Sequence, residues 1–238
     1  MQIQEEHFRN LYKQPIIVKD KKIAHEMARN LLIDTVWEDD LSGEELKQKL
    51  DAIVIDETLN SILVIPYIDH TAGISFHFLT TATVNGNNVN ITKREDFSAM
   101  INIRKDDKIN NLEFEYLKNL NVNPDFSLDQ YERPIEIVNN YFVNDDVEQL
   151  RFVEQLDSSR HEDFPDDVEV LFYKEGLEIE KMWVRYENIV KVPIIEGTLL
   201  NMPYQDFGVS VGDKVKFFPY KFDDEDEYIL ICNLDSKK

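Results

Sequence analysis

Histidines, one cysteine and paired carboxylates are the residues in this chain that could do chemistry. Asp69-His70 and His77 flank Gly73, so a turn there would bring two imidazoles toward one metal ion. On an uninterrupted strand, residues seven apart point to opposite faces, and the pair could not share an ion. The sole cysteine, Cys232, ends the apolar run Tyr228-Ile-Leu-Ile-Cys232 and reads as a buried, inert thiol. One cysteine also excludes an intramolecular disulfide and a cysteine-rich zinc site. His161-Glu-Asp163 lies in polar sequence, and Asp39-Asp40, Asp106-Asp107 and Asp166-Asp167 lack the glycine-spaced order of a calcium loop. No G-x-S-x-G elbow, P-loop, H-E-x-x-H or dinucleotide fingerprint is present, and 7 glycines leave little for phosphate cradles. The expectation is no catalytic residue, no metal and no cofactor.

Charge is the stronger signal. The 238 residues carry 26 Lys+Arg against 47 Asp+Glu, a formal charge of −21. Such a surface repels phosphate backbones, which disfavours direct nucleic-acid binding. Residues 125–180 concentrate the excess, with 17 acids against 4 bases and a net −13. The run Asp223-Asp-Glu-Asp-Glu227 is a second concentration. Read as recognition, these acids would steer a basic partner, while Tyr131, Tyr141, Tyr204, Phe207 and Phe222 would supply exposed anchors. The N-terminus has no secretory signal, and no apolar stretch nears the roughly 20 residues needed to cross a bilayer. A cytoplasmic protein without membrane contact is expected.

The elements that must position these groups follow from periodicity. Residues 20–50 read as helical, with Ile23, Met27, Asn30, Leu31 and Asp34 on one face. Ser42 is placed to cap a second short helix with Glu45 at the capping-box position. Residues 51–56 and 61–68 are β-branched runs joined by a hairpin, and residues 73–84 continue the sheet. Asn85-Gly86 is the clearest turn signal, with 88–92 as the return strand. Residues 96–100 suggest a turn or short helix, and 108–120 a helix. Residues 145–156 form an amphipathic pattern with Val147, Leu150, Val153 and Leu156 inward. Residues 158–167 read as an exposed linker. From Val168 on, five short strands and turns imply a small curved sheet or open barrel, with Met182, Val184 and Tyr186 on one face and Trp183 and Arg185 on the other.

Within that last region, Met182-Trp-Val-Arg, Ile195-Glu-Gly-Thr-Leu-Leu-Asn-Met-Pro203 and Val211-Gly-Asp-Lys-Val-Lys-Phe217 follow one another at compact spacing. The order resembles the YegJ-like bacterial domain of unknown function, with its "W-V … G-x-L-x-N-x-P … G-D-x-V-x-F" pattern, over roughly residues 172–224. The resemblance implies a small α+β domain of bacteria and phage, associated with toxin immunity and similar accessory roles and without catalytic activity. Asp223 to Glu227 stand where that pattern usually ends in an Asp-Trp pair. Independently of the family, Gly197 and Gly212 fit a bulge or a positive-φ turn, and Asn201 and Pro203 bracket a turn.

Taken together, these features predict an α+β protein: a mixed helix-and-sheet region over 1–157 and a small β-rich, barrel-like domain over 165–238. The expected function is a non-enzymatic, acidic protein-binding module, an immunity or accessory inhibitor acting on a basic partner such as a toxin or nucleic-acid enzyme. Its contact residues are expected to be Asp223, Asp224, Glu225, Tyr204 and Phe207. The rivals are a DNA mimic of the anti-restriction kind and a hydrolase with His70 or His77 in a pocket beside a carboxylate. The protein should purify without stoichiometric zinc or iron; one bound equivalent, lost on changing His70 or His77, would overturn the non-enzymatic reading.

Overall fold

A computed structural model describes every residue except 38–42, 95–100, 106–108, 110, 140, 142–143, 223–226 and 237–238. The Ser42 cap, the 96–100 turn and the acids Asp223, Asp224 and Glu225 therefore lie outside the described residues. The chain divides into two compact units, one of residues 1–67 and 74–141, the other of residues 68–73 and 142–238. The architecture is α+β. No helix among the described residues is long and apolar enough to cross a membrane.

The first unit is a seven-stranded sheet. Strands β1 (Ile16–Lys19), β2 (Ser61–Asp69), β3 (Gly73–Asn85), β4 (Asn88–Ile91), β6 (Glu113–Tyr116) and β7 (Asn121–Val122) lie in the order β6-β1-β2-β3-β4-β7, and β5 (Asn102–Arg104) pairs with β3. Asn85 pairs with Asn88, so Gly86-Asn87 form the two-residue turn. Besides the short α1 (Phe8–Leu11), helix α2 (Lys21–Trp37) starts where the Asp20 carboxylate accepts the Ile23 N–H at 2.7 Å. It buries Ala24, Met27 and Ala28 rather than Asn30 and Leu31, a face turned toward its small residues. Helix α3 (Gly43–Asp51) runs through the start of the expected 51–56 strand, and residues 53–56 have no strand pairing.

The expected 108–120 helix is corrected. Glu113-Phe114-Glu115-Tyr116 alternates with period two, and β6 pairs residue for residue with β1, burying Phe114. Helix α4 (Glu132–Asn139) and the turn before it bury Tyr131 and Val138 with the core of one sheet face. Tyr131 is thus core and not an anchor, and Tyr141 packs edge-on against Tyr67 at 5.3 Å.

The second unit is a closed barrel of β8 (Asp167–Tyr173), β9 (Glu180–Lys191), β10 (Ile194–Leu199), β11 (Lys214–Tyr220) and β12 (Ile229–Asn233). Five strands that alternate up and down bring the first and last to run the same way. Closure is accordingly parallel, with Leu171, Phe172 and Tyr173 against Ile231, Cys232 and Asn233, while every other seam is antiparallel. Alternation fills the interior: Val168, Val170 and Phe172 meet Met182, Val184 and Tyr186, with Ile195, Leu199, Val215, Phe217, Leu230 and Cys232 completing the cluster. At Gly197 a Cβ would stand 2.3 Å from the Arg185 carbonyl oxygen, beside the register shift between Glu196 and Gly197, so only glycine fits. Asn201 acts in this frame by accepting the Trp183 N–H on its carboxamide oxygen at 2.7 Å.

Helix α5 (Asp145–Arg151) belongs to the barrel unit. Asn144 caps it through the Val147 N–H at 2.8 Å, and Val147, Leu150 and Leu156 join the barrel core. The α-helix is shorter than the 145–156 pattern, because a 3₁₀ stretch (Glu154–Ser159) takes over after Phe152. Residues 158–167 are not an exposed linker: Arg160 donates to the Leu150 and Pro165 carbonyls at 2.7 Å each, and Pro165 and Asp166 are buried. The unit therefore takes in residues 142–164, not only 165–238. A fragment of residues 142–238 should give a dispersed amide NMR spectrum. One of residues 165–238, stripped of α5 and of Arg151 and Arg160, should give a collapsed one.

Candidate functional site

Two features of the barrel unit can carry function: a buried polar cluster and an exposed end. Asp166 is the centre of the first. Arg151 donates to both its oxygens, Nε to Oδ1 at 2.9 Å and Nη2 to Oδ2 at 2.6 Å. The Tyr186 hydroxyl donates to Oδ1 at 2.8 Å and accepts from Arg160 Nη1 at 2.8 Å. His70, on the 68–73 segment of this unit, reaches Oδ2 through Nε2 at 3.0 Å. Next to it, Arg185 holds Asp167 by two bonds, 2.6 and 2.8 Å.

Burial by itself would raise the Asp166 pKa. The hydrogen bonds from Arg151, His70 and Tyr186 and the Arg151 charge outweigh it and hold the carboxyl far below its ordinary value near 3.8. Burial and the adjoining Asp166 charge push the Tyr186 hydroxyl well above its ordinary range, so it stays a proton donor. With both Asp166 oxygens engaged, the cluster works as a lock.

The second feature is the barrel end where β8, β10 and β12 finish and β9 and β11 begin. Phe172 pairs with Glu180, which sets Tyr173 beside Ile179, and Tyr173 also pairs with Asn233. The loop after β10 folds over this end. The Glu180 carboxylate accepts the backbone N–H groups of Tyr204 and Gln205 at 2.9 Å each and the Gln205 side chain at 2.9 Å. Gln205 returns a bond from Glu178 N to its Oε1 at 3.1 Å. Burial is the largest single influence on Glu180 and works against its ionisation, but the Gln205 and Tyr204 bonds together outweigh it and lower its pKa. On this fastened loop the Tyr204 side chain is 99% exposed, and Tyr173, Ile179 and Met202 are exposed around it. Glu178, Glu180 and Asp206 border the patch; Lys174 is bound to the Asp206 carbonyl at 3.1 Å.

Of the predicted contact residues, Asp223, Asp224 and Glu225 lie outside the described residues, and Tyr204 and Phe207 differ sharply in exposure. Phe207 is 3% exposed and stacks edge-on with Phe172 at 6.0 Å inside the barrel, so it is corrected from anchor to core. Phe222, which precedes the Asp223–Glu225 run, follows β11 at the opposite end from Tyr204. Cys232 is buried. His77 lies buried on β3, bonded to Asn102 at 2.7 Å with its pKa lowered chiefly by burial. His161 accepts the Asp163 and Phe164 N–H groups and stacks on Trp183 at 5.1 Å. Among the described residues no group of three or more His, Cys, Asp or Glu is placed to hold a metal. Sequence reasoning missed Arg151, Arg160 and Glu180; the one available hint was two arginines on an otherwise acidic stretch. No family model, no curated protein and no solved structure matches the chain, so the YegJ-like resemblance rests on its motif alone.

The lock has a pH signature. A depressed carboxyl pKa contributes stability that is full above its unfolded value near 3.8 and is lost as pH falls toward the folded one. Asp166→Asn should flatten the acid limb of stability against pH, measured by urea unfolding. Arg151→Ala, which strands the buried carboxylate, should cost about 3–5 kcal/mol near neutral pH.

Proposed function

We propose that the chain is a non-enzymatic protein-binding module, an immunity or accessory inhibitor that acts on a basic partner in the cytoplasm. The observation that carries this reading is Tyr204, a fully exposed aromatic on a loop whose backbone is fastened by Glu180. An exposed large ring costs solvation, and a fixed loop costs little further entropy on binding, which is the combination expected of a hot-spot anchor. Carboxylates at its edge favour a partner with Lys or Arg around an apolar recess, and the formal −21 charge would speed encounter with it. The motif over residues 172–224 supports the same reading through its resemblance to YegJ-like domains. The Asp166 lock suits a structural role better than a hydrolase, because the carboxylate that would orient His70 is already saturated.

The test is affinity capture from the native host followed by binding kinetics on the captured protein. Tyr204→Ala should speed dissociation about tenfold or more with the fold intact. Neutralising Asp223, Asp224 and Glu225 to Asn or Gln should slow association instead, and that rate should fall steeply with salt, because steering charges are screened over about 8 Å. Association unchanged over a tenfold salt range, together with an inert Tyr204→Ala, would refute the reading.

A further inference from the structure

The first unit holds an open cavity of about 470 Å³, lined by Glu6, Arg9, Asn10, Gln14, Tyr116 and Lys118. No residue of the Tyr204 patch takes part in it. Its sign runs against the rest of the chain. Residues 7–19 carry Arg9, Lys13 and Lys19 and no acid, and residues 116–124 carry Lys118 and no acid, although the formal charge of the whole is −21. The acids of β6 do not offset these cations. Alternation puts Glu113 and Glu115 on the face away from Tyr116, and Glu115 is paired there with Lys19.

Local structure aims the polar groups. Helix α1 buries Phe8 and Leu11, which turns Arg9 and Asn10 outward. The Lys13 N–H donates to the Pro66 carbonyl at 2.9 Å, and this bond holds Gln14 at the entry to β1. On the other wall the Tyr116 ring packs edge-on against buried Phe114 at 5.3 Å, and the Lys118 ammonium lies over it at 4.9 Å. Leu117 donates to the Pro15 carbonyl at 3.0 Å, so the ladder turns the Tyr116 N–H away from β1, toward the edge where Met1 takes the Phe114 N–H at 3.0 Å. Glu6 is the one acid of the lining, and it accepts from the Asn10 amide at 2.5 Å and from the Tyr116 hydroxyl. Burial and the Glu6 charge push that hydroxyl's pKa up, so it stays a donor to Glu6. Lys118, by contrast, has no carboxylate partner among the described residues, and the Gln14 carboxamide has no hydrogen-bond partner among them.

We propose that this cavity binds the carboxylate of a small organic acid. Arg9 and Lys118 against Glu6 leave one positive charge, which matches a monoanion; a phosphate dianion would leave a negative charge in excess beside Glu6. The guanidinium fork, the Lys118 ammonium and the Gln14 amide supply donors for both carboxylate oxygens. A carboxylate fills a small part of the volume, and the rest, walled by amides and the Tyr116 phenol, admits a polar organic body. The chain's remote acids do not prevent binding, because their repulsion is screened over about 8 Å while the lining cations act within hydrogen-bond reach.

The test titrates the full-length ¹⁵N-labelled protein, at constant ionic strength, with N-acetylglycine, its neutral amide and inorganic phosphate. N-acetylglycine should shift the Gln14, Tyr116 and Lys118 amides along saturating curves, with a Kd on the order of 1 mM. The neutral amide and phosphate should each bind about tenfold more weakly. Lys118→Gln, at an exposed position where the fold should survive, should weaken N-acetylglycine about tenfold, and Tyr204→Ala should leave it unchanged. Phosphate binding as tightly as N-acetylglycine would overturn the proposal, as would a neutral amide that binds equally well. Shifts that grow linearly without saturating, or that persist in Lys118→Gln, would overturn it too.

Discussion

The barrel unit depends on one buried carboxylate. Asp166 stands at the threshold of β8, and each of its bonds reaches a different stretch of chain: Arg151 at the end of α5, Tyr186 in the middle of β9, and His70 on the 68–73 segment. Arg160 extends the set by donating to Tyr186 and to the Leu150 carbonyl at the end of α5. Ionised groups this deep cost several kcal/mol each to desolvate, and only near-complete hydrogen bonding offsets that. The return is specificity of arrangement. An apolar replacement could fill the volume, but it would not fix the angle at which α5 and the 3₁₀ stretch meet the barrel.

That lock matters because the barrel is small and odd-numbered. Five up-and-down strands must close with a parallel seam, here only three residue pairs long between β8 and β12. Parallel pairing is slightly the weaker kind. The lock and the 3₁₀ stretch sit against the start of β8, and Ser158 bonds the Tyr228 carbonyl at 2.7 Å just ahead of β12, so both strands of the weakest seam are tied from outside. Inside, Phe172 and Phe207 meet edge-on at the level where β8 ends. The ring taken from sequence as a surface anchor is in fact what plugs that end.

The barrel strands were legible because strict alternation leaves one reading: Met182, Val184 and Tyr186 fall inward as their spacing requires. Gly197 was legible as a close approach for the same local reason. The 108–120 segment was not, since Glu113–Tyr116 owes its conformation to β1, a partner almost a hundred residues earlier. The 158–167 stretch failed differently. Composition marks it as polar and therefore outside, but Asp166 and Asp167 are buried because Arg151 and Arg185 satisfy them, and Arg160 is held by Asp157 and backbone carbonyls, information held in pairs and not in any window. The same limit hid the surface: Tyr204 and Phe207 are three residues apart with similar neighbours, and the Glu180 carboxylate and the Phe172 ring fix the loop path between them.

Glu180 ties the Tyr204 loop to the barrel. It is bonded to two successive backbone N–H groups and a side-chain amide, a grip that holds the loop in one path while Tyr204 projects from it. Phe207 anchors the same loop from below, three residues further on. A loop pinned at both points can present an aromatic ring without collapsing it onto the barrel, which hydrophobic burial would otherwise favour by about 1.5–3 kcal/mol for a ring of this size. Exposure of Tyr204 is thus imposed by the structure rather than left over from it.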